Sequence, residues 1–218
     1  MRIVIAGGHG KIALILAELL SRRGDEVHSL IRNPDHATDV AAAGAEPVVL
    51  DLENAAPADI AAALDGADAA VFAAGAGPGS GVDRKYTVDR DGSVKLAEAA
   101  QQSGVRRFVQ ISSMGAGRPP APDSDEVWAA YIDAKTQAEE DLRARPLDWT
   151  ILRPGRLTDD PGTGLVTLVE APGSYGSVPR ADVAAVLAEL LTARNTVGKT
   201  LELVSGDTPL SKAITAIR

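Results

Sequence analysis

Tyr131 and Lys135 stand four residues apart in the segment AAYIDAKTQAEE. At that spacing two side chains share one face of a helix. A tyrosine hydroxyl can pass a proton to or from a substrate oxygen, and an ammonium beside it favours the phenolate form. Earlier in the chain the run QISSMG offers serine hydroxyls. Ser113 is the first choice to orient a substrate carbonyl and Ser112 the second. Together these residue types suit hydride-transfer chemistry, with Lys135 also free to hold the ribose beside a nicotinamide. With only three tyrosines in 218 residues, a chance Tyr-x-x-x-Lys behind a Ser-Ser strand end is a poor account. A purely structural Tyr–Lys pair is the competing reading.

Hydride transfer needs a cofactor, and the chain opens on a stretch suited to one: RIVIAGGHGKIA. An apolar run meets Gly7, Gly8 and Gly10, and an apolar-periodic segment follows. Gly7 would permit a tight turn, Gly10 would let the backbone approach a pyrophosphate, and Ala13 would keep the helix close to the strand. Free backbone N–H groups and the helix dipole then favour an anion. His9, Lys11 and Ile12 belong to the same turn. His9 and Lys11 could touch phosphate or equally face solvent. An ordinary strand-to-helix turn would also use glycine for its backbone freedom. Its place at the start of a βαβ unit favours dinucleotide binding.

The second strand ends SLIRNP, so Arg32 and Asn33 stand where NAD-binding chains carry an acid for the ribose 2′-hydroxyl. Arginine suits a 2′-phosphate. NADP(H) is therefore the preferred cofactor, with NAD(H) possible. Asp51 and Leu52, in LDLEN, fall near an adenine, although Asp51 could equally be a cap. Ala73, Ala74 and Gly75 open the run AAGAGPGSG, whose glycines suggest backbone lying against the cofactor or a mobile loop. Arg156, Asp159 and Asp160 could meet a polar substrate or form only a turn. Arg180 could bound the substrate pocket, and Asp182 suits the first turn of a helix. His9, His28 and His36 lack ligand spacing, so no metal site is expected.

These residues need a scaffold, and the pattern supplies one. Strand-length apolar runs at 2–6, 27–31, 47–50, 69–74, 107–112, 148–153 and 200–205 alternate with helical patterns. The helices fall near 11–23, 34–43, 84–103, 125–144, 180–193 and 211–217, with a short one in PADIAAALDG. Such alternation predicts an α/β fold: a Rossmann-type, doubly wound parallel sheet in three layers, with strand order 3-2-1-4-5-6-7. The expected organisation is one NAD(P)-binding domain over 1–218, its small substrate side formed by about 155–180 and 195–218.

Composition narrows the partners. The formal charge of -8 disfavours nucleic acid, since phosphate contacts need a basic surface. The absence of cysteine excludes disulfides, thiolate metal sites and a cysteine nucleophile. No apolar stretch is long enough to span a bilayer and no targeting segment is visible. The expectation is a cytoplasmic protein, monomer or homodimer, whose partner is a small-molecule substrate rather than nucleic acid or membrane.

Taken together, GGHGKIA, the Ser-Ser pair, YIDAK and ILRPGRL resemble the short-chain dehydrogenase/reductase superfamily. The likeness is to its atypical branch of small NAD(P)H-binding, NmrA-like and flavin-reductase-like proteins, whose members often carry epimerase/dehydratase names. The resemblance covers nearly the whole chain. It puts the family's glycine pattern on Gly7, Gly10 and Ala13, its acid/base pair on Tyr131 and Lys135, and its serine on Ser113. It puts the motif RPG on Arg153, Pro154 and Gly155, with Pro154 and Gly155 beside the nicotinamide. It implies an NADP(H)-dependent oxidoreductase that moves hydride to or from a small carbonyl, quinone-like or flavin-like acceptor. The alternatives are a non-catalytic NADP(H)-sensing regulator and an NAD-dependent sugar epimerase or dehydratase. The last is disfavoured by the short stretch that follows the sixth strand.

Overall fold

A computed structural model describes residues 1–77, 79–120 and 123–218. Pro78 of the glycine-rich loop, and Ala121 and Pro122 of the proline-rich loop, lie outside the described residues.

The first strand, β1 (Arg2–Ala6), is buried on both faces because its side chains alternate between two cores. Ile3 and Ile5 pack with one core and Val4 and Ala6 with the other. The helix α1 (Lys11–Arg22) follows, burying Ala13, Leu16, Ala17 and Leu20 in the first core, as its apolar spacing requires. Next come β2 (Glu26–Ile31), α2 (Ala37–Ala42), β3 (Glu46–Val49) and α3 (Pro57–Ala63). The strand β4 (Ala69–Phe72) is followed by α4 (Val82–Arg84), a wider π-type turn over Lys85–Arg90, and α5 (Asp91–Gln102). Then β5 (Arg107–Ile111), α6 (Glu126–Arg143) and β6 (Asp148–Pro154) complete the part that carries the candidate chemistry.

The remaining elements are β7 (Arg156–Thr158), β8 (Leu165–Glu170), β9 (Ser177–Pro179) and α7 (Arg180–Leu190). They are followed by β10 (Lys199–Ser205), β11 (Thr208–Pro209) and α8 (Leu210–Thr215). Among the described residues, nine strands form one sheet in the order β11-β8-β10-β6-β5-β4-β1-β2-β3. From β3 to β10 every pairing is parallel, which is the expected 3-2-1-4-5-6-7 order. The strand order reverses at β1, which lies between β2 and β4, and Gly7 follows it into the crevice. The protein is thus a Rossmann-type α/β fold, with ligands expected at the carboxyl ends of these strands.

Beyond β10 the sheet differs from a purely parallel one. β8 pairs antiparallel with β10, and β11 antiparallel with β8. A separate parallel pair joins β7 to β9, with Arg156 opposite Ser177. Leu165–Glu170 buries only Val166 and Leu168, a weak apolar signal, and Gly and Pro flank it on both sides. The helical stretch expected from residue 84 starts at Val82 and contains the π-type turn, which buries Lys85 and Asp89. A residue gained within a helix shifts every later side chain around the axis, and such turns gather at functional sites.

Buried charge ties the elements together. Arg107 of β5 donates to the carbonyl oxygens of Leu190 and Leu191 at the end of α7, at 2.5 and 3.3 Å. Burial pushes its guanidinium down to about 10. No helix among the described residues is long and apolar enough to cross a membrane.

Candidate functional site

The glycine turn is shaped by close backbone approach. Gly7 has φ +79°, and a Cβ there would stand 2.5 Å from Ala74 Cα. A Cβ on Gly8 would collide with the side chain of Ser29. Gly10 is bounded mainly by the Gly7 carbonyl oxygen, 3.2 Å from where its Cβ would be. The Gly8 N–H donates to the Leu30 carbonyl and the Gly10 N–H to the Gly7 carbonyl, both at 2.9 Å. α1 then begins at Lys11 with no side-chain cap and no acid in its first turn. Its opening N–H groups lack a side-chain acceptor, which leaves them available to an anionic group.

Above this turn lies a cavity of about 340 Å³. Of the residues expected to hold a dinucleotide, Gly7, Gly8, His9, Gly10, Arg32, Asn33, Asp51, Leu52, Ala73, Ala74 and Gly75 line it. The glycine cradle, the free helix N-terminus and the arginine at the β2 end fit the pyrophosphate and ribose of NAD(P)H. Asp51 also serves as a local cap: it accepts the Glu53 N–H at 3.1 Å and the Asn54 amide at 2.8 Å. Asn33 accepts the Asp35 N–H at 3.1 Å and so starts the turn after β2. His9 stacks on His36 with ring centroids 3.6 Å apart, and its Nε2 lies 2.8 Å from Asp39.

Other expected cofactor residues lie outside the cavity lining. Lys11 donates to Asp159 at 2.6 Å, and Arg180 reaches the other oxygen of the same carboxylate at 2.6 Å. Asp182 accepts the N–H groups of Thr163 and Gly164. Ile12 is half-buried against the α1 side of the core. Gly155 donates to the Leu203 carbonyl at 2.9 Å, and a Cβ on it would strike the Gly176 carbonyl. Pro154 is buried at the end of β6. The Ser112 hydroxyl is committed to the buried Glu139 carboxylate at 2.5 Å, so it is part of the core wiring.

The proposed proton-transfer side is built on α6. Asp125 caps this helix by accepting the Trp128 N–H at 3.1 Å. Tyr131 and Lys135 share a face as their spacing predicts, with Lys135 Nζ 5.7 Å from the Tyr131 ring centroid. Lys135 is 3% exposed and donates to the Ile111 carbonyl at 3.3 Å, the last residue of β5 before Ser112 and Ser113. The hydroxyl of Ser113 makes a local contact to the Met114 carbonyl at 3.2 Å. Burial works against the Lys135 ammonium, but Tyr131, Asp89 and Glu139 outweigh it and raise its pKa.

Two neighbours carry no readable signal in the sequence. Asp89 lies 3.2 Å from Lys135 Nζ and also accepts the Ala76 N–H at 3.0 Å. It therefore links the ammonium to backbone that lines the cavity. Lys85 Nζ lies 5.6 Å from the Tyr131 ring centroid and donates to Gly77 O and Ser80 Oγ, each at 2.9 Å. Both residues are turned inward by the π-type turn, a backbone feature that no residue pattern announces. Below them, Glu139 is fully buried and accepts from Arg153 Nε at 2.8 Å and from Arg143 at 2.6 Å. Arg153, the first residue of RPG, thus anchors α6 to β6. Among the described residues no group of His and acidic side chains is placed to hold a metal ion.

Comparison with known proteins agrees with this geometry. A family model described as NAD(P)H-binding matches residues 7–194. The chain is 35% identical to YhfK of Bacillus subtilis, which bears a sugar-epimerase name, over 98% of this chain and 99% of that one. A Bacillus halodurans structure titled as an NAD-dependent epimerase/dehydratase has a TM-score of 0.91 at 35% identity, covering 99% of each chain. ChuY of Escherichia coli O157:H7, titled an anaerobilin reductase, has a TM-score of 0.80 at 25% identity, covering 94% of this chain and 97% of that one. The glycine cradle, the sheet order and these matches together make the chain a member of the NAD(P)H-binding family of atypical short-chain dehydrogenase/reductase-like Rossmann proteins.

Proposed function

We propose that the protein is an NADP(H)-dependent oxidoreductase acting on a small carbonyl, quinone-like or flavin-like acceptor. The observation that carries this reading is the buried Lys135 ammonium, set beside Tyr131 and tied through Asp89 to the cavity backbone at Ala76. A reduced nicotinamide, when bound, supplies the hydride. The glycine turn would hold the pyrophosphate, and Arg32 with Asn33 the ribose end. Ser113 would orient the acceptor oxygen, Tyr131 would deliver its proton, and Lys135 would remain charged beside the tyrosine through the cycle. Trp128 and Tyr175 are exposed, and Trp128 lies 5.5 Å from the Tyr131 ring. In a chain with 3% aromatic residues, this local enrichment suits a planar acceptor. The anaerobilin reductase title of ChuY fits the same reading.

The test is NADPH oxidation, followed by absorbance, across a panel of carbonyls, quinones and flavins. Turnover with one class supports the reading. NADPH binding with no oxidation by any of them would favour the non-catalytic sensor. The epimerase names of the similar proteins support a second reading, sugar epimerisation with a resident NAD. NAD that copurifies with the protein would favour that reading.

A further inference from the structure

By strand order, Lys135 and Ser113 belong to the β5 end of the crevice, whereas Arg32 and Glu53 follow β2 and β3. At this second end the cavity is lined by a compact charged group. Glu53 accepts from Arg84 Nη2 at 2.6 Å, from Thr87 Oγ1 at 2.7 Å and from Arg32 Nη1 at 3.2 Å. Its backbone carbonyl and that of Leu52 also receive Lys95 Nζ, at 2.7 and 2.9 Å, which fixes the segment. The carboxylate is the sheltered member: its side chain is 21% exposed, against 57% for Arg32 and 38% for Arg84. A guanidinium has five N–H donors. Most of those on Arg32 and Arg84 remain uncommitted among the described residues.

We infer that Glu53 and Arg84 set the choice between the two nicotinamide dinucleotides. This rests on the dinucleotide site proposed above. Toward a ribose 2′-hydroxyl, Glu53 is an acceptor. Toward a 2′-phosphate it is a like charge already seated on both arginines, so the phosphate must compete with it for their donors. Arg84 then acts with Arg32 as a second phosphate-facing cation, supplied from α4 and not from the β2 end. A site so arranged admits both cofactors. Its preference depends on one resident carboxylate.

The test is calorimetric binding of NADPH and NADH to the full chain and to Glu53→Gln and Arg84→Met, with melting curves to confirm folding. Glu53→Gln is expected to raise the NADPH-to-NADH affinity ratio by about tenfold or more. Arg84→Met should lower NADPH affinity while leaving NADH within about threefold. Adenosine 2′,5′-bisphosphate and 5′-AMP, used as probes, should follow the same pattern. Wild-type protein that binds a dinucleotide, with the ratio unmoved by either variant, overturns this inference alone. Wild-type protein that binds neither dinucleotide overturns the cofactor reading and this inference with it.

Discussion

The two ends of the crevice are built from different materials. At the β1–β2 end the site is made of backbone: a glycine turn, a bare helix N-terminus and a few exposed charges around a cavity. At the β5–β6 end it is made of buried side chains, with Lys135, Asp89, Glu139 and Arg153 all less than a tenth exposed. A backbone site tolerates change in most side chains but not a Cβ in the wrong place. A buried ionic site is the reverse, because losing one partner strands another charge out of water. The first design suits a cofactor shared by many proteins, and the second suits fixing one helix, α6, against the cofactor.

The contrast can be broken most sharply at Glu139. Glu139→Ala removes the carboxylate that Arg153 and Arg143 share and leaves the buried Arg153 only the longer pairing to Glu202, at 3.6 Å, so it should destabilise the fold by about 3 kcal/mol. Denaturant unfolding measures this, and a loss under about 1 kcal/mol would mean the network is not holding α6. At the other end, Gly7→Ala forces a side chain to φ +79° and against Ala74. It should cost about 1–3 kcal/mol and remove dinucleotide binding, both readable from melts with and without NADPH. A variant that still binds NADPH as wild type does would show that the turn is not the cradle.

Smaller effects belong to the half-buried and exposed charges. Burial raises the Glu53 carboxyl, but Arg84, Thr87 and Arg32 outweigh it and hold it below the usual carboxylate range. A lowered carboxyl contributes stability above its ordinary range and loses it as pH falls through the lowered value. Wild type should therefore lose more stability than Glu53→Gln on acidification from about pH 7 to about pH 3. Parallel acid curves for the two proteins would contradict this. The smallest effect is expected at the exposed Lys11–Asp159–Arg180 bridge. Asp159→Asn should leave the melting temperature unchanged within error. A marked drop would show that the bridge does hold the glycine turn to the β7 loop.

What could be read from the sequence follows the same division. The glycine turn is legible because close backbone approach demands glycine at fixed offsets after a strand. β1 and β4 are legible because burial on both faces makes them almost wholly apolar, whereas β3, at the sheet edge, buries none of its residues and shows only as a short apolar run. Tyr131 and Lys135 are legible because α6 is a regular helix that preserves their spacing. Lys85 and Asp89 are not, since the π-type turn rotates them inward without changing the apolar pattern. Glu53 and Arg84 are 31 residues apart and follow strands that β1 and β2 separate in the sheet, so their contact has no local pattern in the sequence. Ser112 shows the limit of reading adjacent residues: of the two serines, one is tied to Glu139 and only the other remains half-exposed with a local contact. β8 and β11 escape notice because they bury few side chains: β8 buries only Val166 and Leu168, and the two-residue β11 buries none.

The central claim is that Tyr131 moves a proton beside a bound nicotinamide. It is tested most directly by comparing wild type and Tyr131→Phe for NADPH affinity and for kcat with one accepted substrate. The account predicts NADPH affinity within about threefold of wild type and a kcat lower by about 10²–10⁴-fold. An unchanged kcat in Tyr131→Phe would contradict it.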